Sequence, residues 1–273
     1  MQPRYGDTFL VRFAGYGKFI MLSSPEAVQD VFRGDGHALH SGEGNEFLIP
    51  TVGPNSVLVL DGDAHMRQRR VLLPPLKGEH MRSLFDAMQA ATLEAVRSWL
   101  VGRTIRMLEP MQQITLRVIL ETVLGLKAGP ERDAIEKQVH RLLAQARGRY
   151  GLIWVKLLPI EWLQKNRGLS FFRTMQRLNE SVYALIRARR REAAPDNDVL
   201  SGLLAASHDD GRPMSDEEIR DALMTLILAG HDTTAVALAW ALEQIVPRAD
   251  VMQRLVEEVA ARHACYPPRG RPQ

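Results

Sequence analysis

Six consecutive residues, Ala229-Gly230-His231-Asp232-Thr233-Thr234, interrupt a long apolar stretch in the last fifth of the chain. Ala222-Leu223-Met224-Thr225-Leu226-Ile227-Leu228 precedes them and Ala235-Val236-Ala237-Leu238-Ala239-Trp240-Ala241-Leu242 follows. A buried helix gains nothing from this composition. Glycine alone is about 1 kcal/mol worse than alanine in a helix interior, and a buried carboxylate without a partner costs several kcal/mol more. The cluster therefore points to a task at a place where the helix passes a cavity. Gly230 would let a flat guest approach the helix backbone. Thr233 can bond back to a carbonyl three or four residues earlier, or turn toward the guest. Asp232 beside that hydroxyl makes an acid–alcohol pair able to pass protons into a dry groove. The competing reading is a polar patch satisfied against a neighbouring helix.

A second constellation lies in Asp61-Gly62-Asp63-Ala64-His65-Met66-Arg67-Gln68-Arg69-Arg70. His65 and Arg69 are four apart and share one helix face. Together they offer donors to one anion, with arginine the planar, permanently charged clamp for a carboxylate. The competing reading is an exposed basic turn. A third cluster, Arg187, Arg189, Arg190 and Arg191, reads as a solvated helix face.

The elements that must carry these groups follow from periodicity. Residues 8–22 alternate as a β-hairpin turning at Ala14-Gly15-Tyr16-Gly17. Ser24 then caps a helix with Pro25 at its first position and Val28, Val31 and Phe32 on the inner side. Residues 34–56, rich in Gly, His, Ser, Asn and Pro, read as a loop. Helical patterns cover 62–73, ended by Pro74-Pro75, then 79–100, 110–126 with Gly125 at its end, 131–147, 170–192 and 196–207. In the 79–100 helix the apolar positions are Met81, Leu84, Phe85, Met88, Leu93, Val96 and Leu100. Ser215 and Glu218 make a capping box, opening a helix that runs to about Val246. At 1.5 Å per residue its length is about 46 Å, enough to traverse a domain. A last helix spans 249–262, and residues 261–273 read as a disordered tail.

The 35 basic and 32 acidic residues give a formal net charge of +3, too balanced to argue for nucleic acid. Cys265 is the single cysteine, which excludes an intrachain disulfide and a cysteine-based zinc site. No metal-ligating set is expected. A membrane span over 222–242 would place Asp232 near its centre, where an acid is costly, so no membrane segment is expected. Three consecutive helical side chains point about 100° apart, so His231, Asp232 and Thr233 cannot converge as a hydrolytic triad.

Taken together, these stretches resemble the cytochrome P-450 family of haem-thiolate monooxygenases. Arg4-Tyr5-Gly6-Asp7 with the hairpin and Leu22-Ser23-Ser24-Pro25-Glu26-Ala27-Val28 is similar to the family's first sheet and following helix. Asp61–Arg70 resembles its H-x-x-x-R helix, Asp198–Leu204 the segment before its central helix, and Ala229–Thr234 its [AG]-G-x-[DE]-T-[TS] oxygen-activation motif. The resemblance covers about residues 4–260. It implies a mainly α, P-450-like helical fold with a small N-terminal β-hairpin, as a partial domain over 1–260 with its C-terminal part missing. It implies haem as cofactor, with Ala229, Gly230 and Thr234 against the distal face and His65 and Arg69 holding a propionate. Thr233 would hydrogen-bond dioxygen, and Asp232 would feed protons for O–O cleavage. It further implies a small apolar substrate walled by the 34–56 loop and the 140–175 helices. An electron donor (ferredoxin or reductase) and a cytoplasmic location complete the expectation. The family's E-x-x-R helix and cysteine-ligand loop have no counterpart here. The chain alone is therefore expected to be inactive and marginally stable, with exposed apolar faces. The alternative is a non-catalytic helical protein of the same descent that binds a ligand or a partner.

Overall fold

The structure, a computed structural model, describes residues 2–13, 17–34, 38–76, 80–147, 170–192 and 198–265. Strands β1 (Thr8–Phe13) and β2 (Gly17–Leu22) form an antiparallel pair in the register Thr8↔Leu22 to Phe13↔Gly17. Residues 14–16 of the expected turn lie outside the described residues. Nine helices of seven residues or more follow among those described: α1 (Pro25–Arg33), α2 (Gly62–Leu72), α3 (His80–Arg97), α4 (Leu108–Thr122), α5 (Pro130–Arg147), α6 (Ser170–Arg191), α7 (Val199–Ala205), α8 (Asp216–Ile245) and α9 (Ala249–Cys265).

Helix α8 packs most extensively on α4, and α6 lies against both α5 and α8. The core fills the space between them with Leu116, Leu120 and Leu124 from α4 and its exit. Val139 and Leu142 come from α5, Leu178, Val182 and Ile186 from α6, and Ile219, Leu223 and Ile227 from α8, all essentially fully buried. The N-terminal half of α8 is thus a core helix. It is also the one helix among those described that is long and apolar enough to cross a membrane, by length and composition alone.

Four expectations need correction. Residues 41–52 are not plain loop but three consecutive helical turns, Ser41–Gly44, Glu46–Leu48 and Ile49–Val52, the last of which packs on α8. Helix α1 buries none of its residues, and Phe32 is 87% exposed. An amphipathic pattern names the face that can be buried; burial still needs a covering element, and the described residues supply none. In α3 the large side chains Phe85, Met88, Leu93 and Val96 are exposed, while Ala87, Ala91 and Ala95 are buried. Spaced four apart, these alanines form one ridge, and Ala91 and Ala95 join Met111, Ile114 and Val118 of α4 in a second core cluster. Finally, α9 continues as helix to Cys265, so 261–265 belongs to the helical body and not to the tail. Residues 266–273 lie outside the described residues.

The capping box of α8 is present as expected. The Ser215 hydroxyl accepts from the Glu218 backbone N–H, and the Glu218 carboxylate accepts from the Ser215 N–H at 2.8 Å. Burial would raise the Glu218 carboxyl, but hydrogen bonds from Arg212 and Ser215 and the nearby His208 outweigh it. Together they hold it at about 2 against an ordinary 4.5. A depressed carboxyl contributes stability that is complete above its unfolded-state value and lost as pH falls through its folded-state value. The window is therefore from about 4.5 down to about 2. Urea unfolding of the chain should weaken progressively across that window. In Glu218→Gln that acid-dependent component should be missing. A Glu218→Gln chain with the wild-type acid profile would dissociate the cap from acid stability.

Candidate functional site

Where α8 leaves the core its polar cluster divides between two faces. His231 is buried, Gly230 and Asp232 are half-buried, and Ala229, Thr233 and Thr234 are exposed. The inner side is closed by α4. The Thr115 hydroxyl lies 3.1 Å from both the His231 carbonyl and its Nδ1. The Gln112 side-chain amide donates to Asp232 Oδ1 at 2.8 Å. A Cβ on Gly230 would stand 3.0 Å from Ile119 Cδ1. The missing side chain at 230 accommodates the close approach of α4 on this side of the helix. On the outer side the Thr233 hydroxyl donates back to the Ala229 carbonyl, one turn earlier. Of the two behaviours open to that threonine, the structure adopts the local one. Ala229 and Thr233, four apart, are thereby joined on the exposed face.

His65 and Arg69 sit on α2. The His65 Nδ1 lies 3.0 Å from the Val57 carbonyl, and the exposed Arg69 guanidinium has no ion pair among the described residues. What ties α2 to α8 is the segment 53–57. Thr225 of α8 donates to the Ser56 hydroxyl at 2.7 Å, and Asn55 donates through both its backbone and side-chain nitrogens to Asp221 at 2.9 and 3.0 Å. Val57 packs on the main core beside α8 residues. The imidazole is thus fastened to a strap that is itself fastened to α8 one turn before Ala229.

Two buried ion networks escaped the sequence reading. Asp221, fully buried, also accepts from Arg220 at 2.6 Å, while the Arg220 guanidinium donates twice to Asn179 Oδ1 of α6 at 3.1 and 2.7 Å. Arg189 donates to Asp198 at 2.6 Å and to Ser201 at 3.2 Å. Asp198 also caps α7 through the Ser201 N–H. The Arg187–Arg191 cluster is therefore not a uniformly solvated face: Arg189 is 9% exposed, and Arg190 bonds to Asp216 and the Met214 carbonyl. Adjacent opposite charges such as Arg220-Asp221 inside an apolar run were the available signal.

Between α3, α4 and α5 lies an open cleft of ≈ 600 Å³ lined by Glu94, Arg117, Arg132, Glu136 and His140 among others. Arg117 spans it, 3.0 Å from Glu94 and 3.5 Å from Glu136. Glu136 is held below the usual carboxylate range, first by its contact with His140 and, against burial, by the Arg117 and Arg132 charges. The His140 ring meets the His231 ring edge-on at 6.1 Å. Of the expected substrate walls, residues 148–169 lie outside the described residues.

The comparisons with known proteins agree with one another. The family model for cytochrome P-450 matches residues 1–263. Cytochrome P-450 135B1 of Mycobacterium tuberculosis is 34% identical over 272 residues, covering 97% of this chain and 56% of the relative. Cytochrome P-450 138 of the same organism is 33% identical over 269 residues, covering 94% and 57%. Among solved structures, the haem domain of cytochrome P-450DA superposes with a TM-score of 0.74 at 21% identity, covering 98% of this chain and 58% of that one. A cyanobacterial CYP120A1 with retinoic acid bound superposes at 0.69 and 20% identity, covering 94% and 56%. At these identities the structural likeness establishes the fold, which is mainly helical with one small antiparallel pair. The chain spans a little over half the length of the curated relatives it matches.

Proposed function

Because this chain belongs to the cytochrome P-450 family, we propose that it carries the oxygen-activating side of a haem-dependent monooxygenase acting on a small apolar molecule. Haem, the cofactor this family implies, supplies the redox chemistry that activates O2 when bound. The residues here suit one side of such a group. Ala229 and Thr233 leave a low, exposed strip along α8, open to a planar partner. That strip, flanked by a half-buried carboxyl, is the observation that carries the proposal. Thr233 holds a hydroxyl proton at the strip, presently given to the Ala229 carbonyl. Asp232 places a half-buried carboxyl one residue away. Thr234 is the second exposed hydroxyl of the same turn. Arg69, exposed on the surface of α2 and without an ion pair among the described residues, and His65 would hold an anionic substituent such as a propionate. A ferredoxin or reductase as electron donor and a cytoplasmic location belong to the same proposal.

The test starts with the 273-residue chain as it is. Titrated with haem, it should develop a Soret band displaced from that of free haem. Arg69→Ala should weaken that uptake by about tenfold or more, since a charge-assisted bond contributes about 1.5–3 kcal/mol. No spectral change with haem would overturn the assignment. It would favour a non-catalytic binding protein instead, a reading supported by the exposed Trp240, Val246 and Val256 on α8, its C-terminal end and α9.

A further inference from the structure

We propose that Gln112 is a positioning residue for Asp232, setting the direction of its carboxyl and the ease with which it exchanges a proton. The inference rests on the oxygen-activation reading of the Ala229–Thr234 turn. Its basis is the direct bond from the Gln112 amide to Asp232 Oδ1 at 2.8 Å, made across the interface of α4 and α8. The interface is fixed on either side of that bond. Thr115, one turn along α4, holds the His231 carbonyl at 3.1 Å, and Ile119, one turn further, fills the space left by Gly230. Asp232 is therefore drawn toward α4, while Thr233, the next residue, faces the exposed strip.

The chemistry of the partner matters. A guanidinium or ammonium here would favour the ionised carboxyl through its charge. A neutral amide adds a hydrogen bond without a net charge. It also carries a donor and an acceptor on one pivot. With the N–H turned inward it binds a carboxylate; rotated by half a turn, its carbonyl accepts from the protonated acid. A glutamine thus supports both states of a group that has to cycle between them. The titratable neighbours among the described residues include His231 in the same turn of α8 and His140 of α5, whose ring meets the His231 ring at 6.1 Å. The nearest strong cation on α4, Arg117, is shared between Glu94 and Glu136.

The measurement needs neither haem nor turnover. In the full chain labelled with carboxyl-13C aspartate, Asp232→Asn assigns the Asp232 resonance, which is then titrated in three variants. Gln112→Lys should lower the midpoint by about one pH unit or more, a tenfold change in proton affinity. Gln112→Leu, which removes donor and acceptor together, should raise it by about half a unit or more. Gln112→Asn, keeping a shorter amide, should fall between Leu and wild type. Circular dichroism checks folding. Should the Leu variant unfold, Lys and Asn carry the test. Midpoints for Lys and Asn within about 0.2 unit of wild type in folded protein would overturn the proposal. Haem uptake is scored separately, so its failure would count against the monooxygenase reading while leaving the Gln112–Asp232 coupling measurable.

Discussion

Asp221→Ala should cost the chain about 3–5 kcal/mol, the range for stripping one partner from a buried ion pair. A domain of this kind has only about 5–15 kcal/mol in total. Asp221 is fully buried and takes three N–H···O bonds on its carboxylate: from Arg220 at 2.6 Å, from the Asn55 backbone at 2.9 Å and from the Asn55 side chain at 3.0 Å. Alanine would leave the Arg220 cation, 7% exposed, with only the Asn179 side-chain oxygen as acceptor among the described residues. It would also leave two Asn55 donors facing apolar surroundings. The pocket is tight on its other side, since a Cβ at Gly53 would meet Asp221 Oδ1 at 2.0 Å. Asp221→Asn keeps the shape and one acceptor and should lose less. Urea midpoints for the two variants decide the matter, and an alanine chain within about 1 kcal/mol of wild type would refute the account. The effect should reach the site as well. Releasing residues 53–57 frees the strap that carries the Val57 carbonyl and, through it, His65. Haem uptake should fall with stability, although Asp221 lies two turns of α8 before Ala229.

Helices were legible in the sequence where punctuation and periodicity agreed. Ser215 and Glu218 marked the start of α8, and Gly125 the exit of α4, because caps act through neighbours three or four residues away and leave their signature locally. Burial was less legible. The periodicity of α1 named Val28, Val31 and Phe32 as an inner face, yet they are exposed. In α3, burial fell on Ala87, Ala91 and Ala95 because the approach of α4 selects small residues. Neither outcome can be read from one helix alone. The site divides the same way. Asp232, Thr233, His65 and Arg69 were singled out as candidates from residue type and spacing. Gln112, Thr115 and Ile119, which hold the polar turn of α8 from 111–120 positions away, were invisible, because nothing in a glutamine on a neighbouring helix announces which carboxyl it will meet. The same limit hid Arg189. Within a run of four arginines in five residues, only the fold selects the one that turns inward.

That selected arginine sets up the second large effect. Gly125→Ala should destabilise the chain by about 4 kcal/mol or more, whereas Gly102→Ala should cost only about 1–2 kcal/mol. Both glycines have left-handed backbone, φ +68° and +84°, so both alanines incur the steric penalty of that region. At Gly102 an added Cβ meets nothing within 4 Å, and the backbone penalty stands alone. At Gly125 it would lie 2.0 Å from Asp198 Oδ2 and 2.6 Å from Arg189 Nη2, inside the buried pair that joins α6 to the start of α7. Both groups are nearly enclosed, with exposures of 5% for Asp198 and 9% for Arg189, so neither can swing into water without opening the core. Either the pair separates, at the penalty of an uncompensated buried charge, or the exit of α4 shifts. A shift would stretch the 3.0 Å bond from the Leu200 N–H to the Val123 carbonyl that pins α7 beside it. The Gly102 variant measures the backbone term, and the excess at Gly125 measures the pair. Equal losses at the two sites would mean that the Arg189–Asp198 bridge yields freely and contributes little to holding α4, α6 and α7 together.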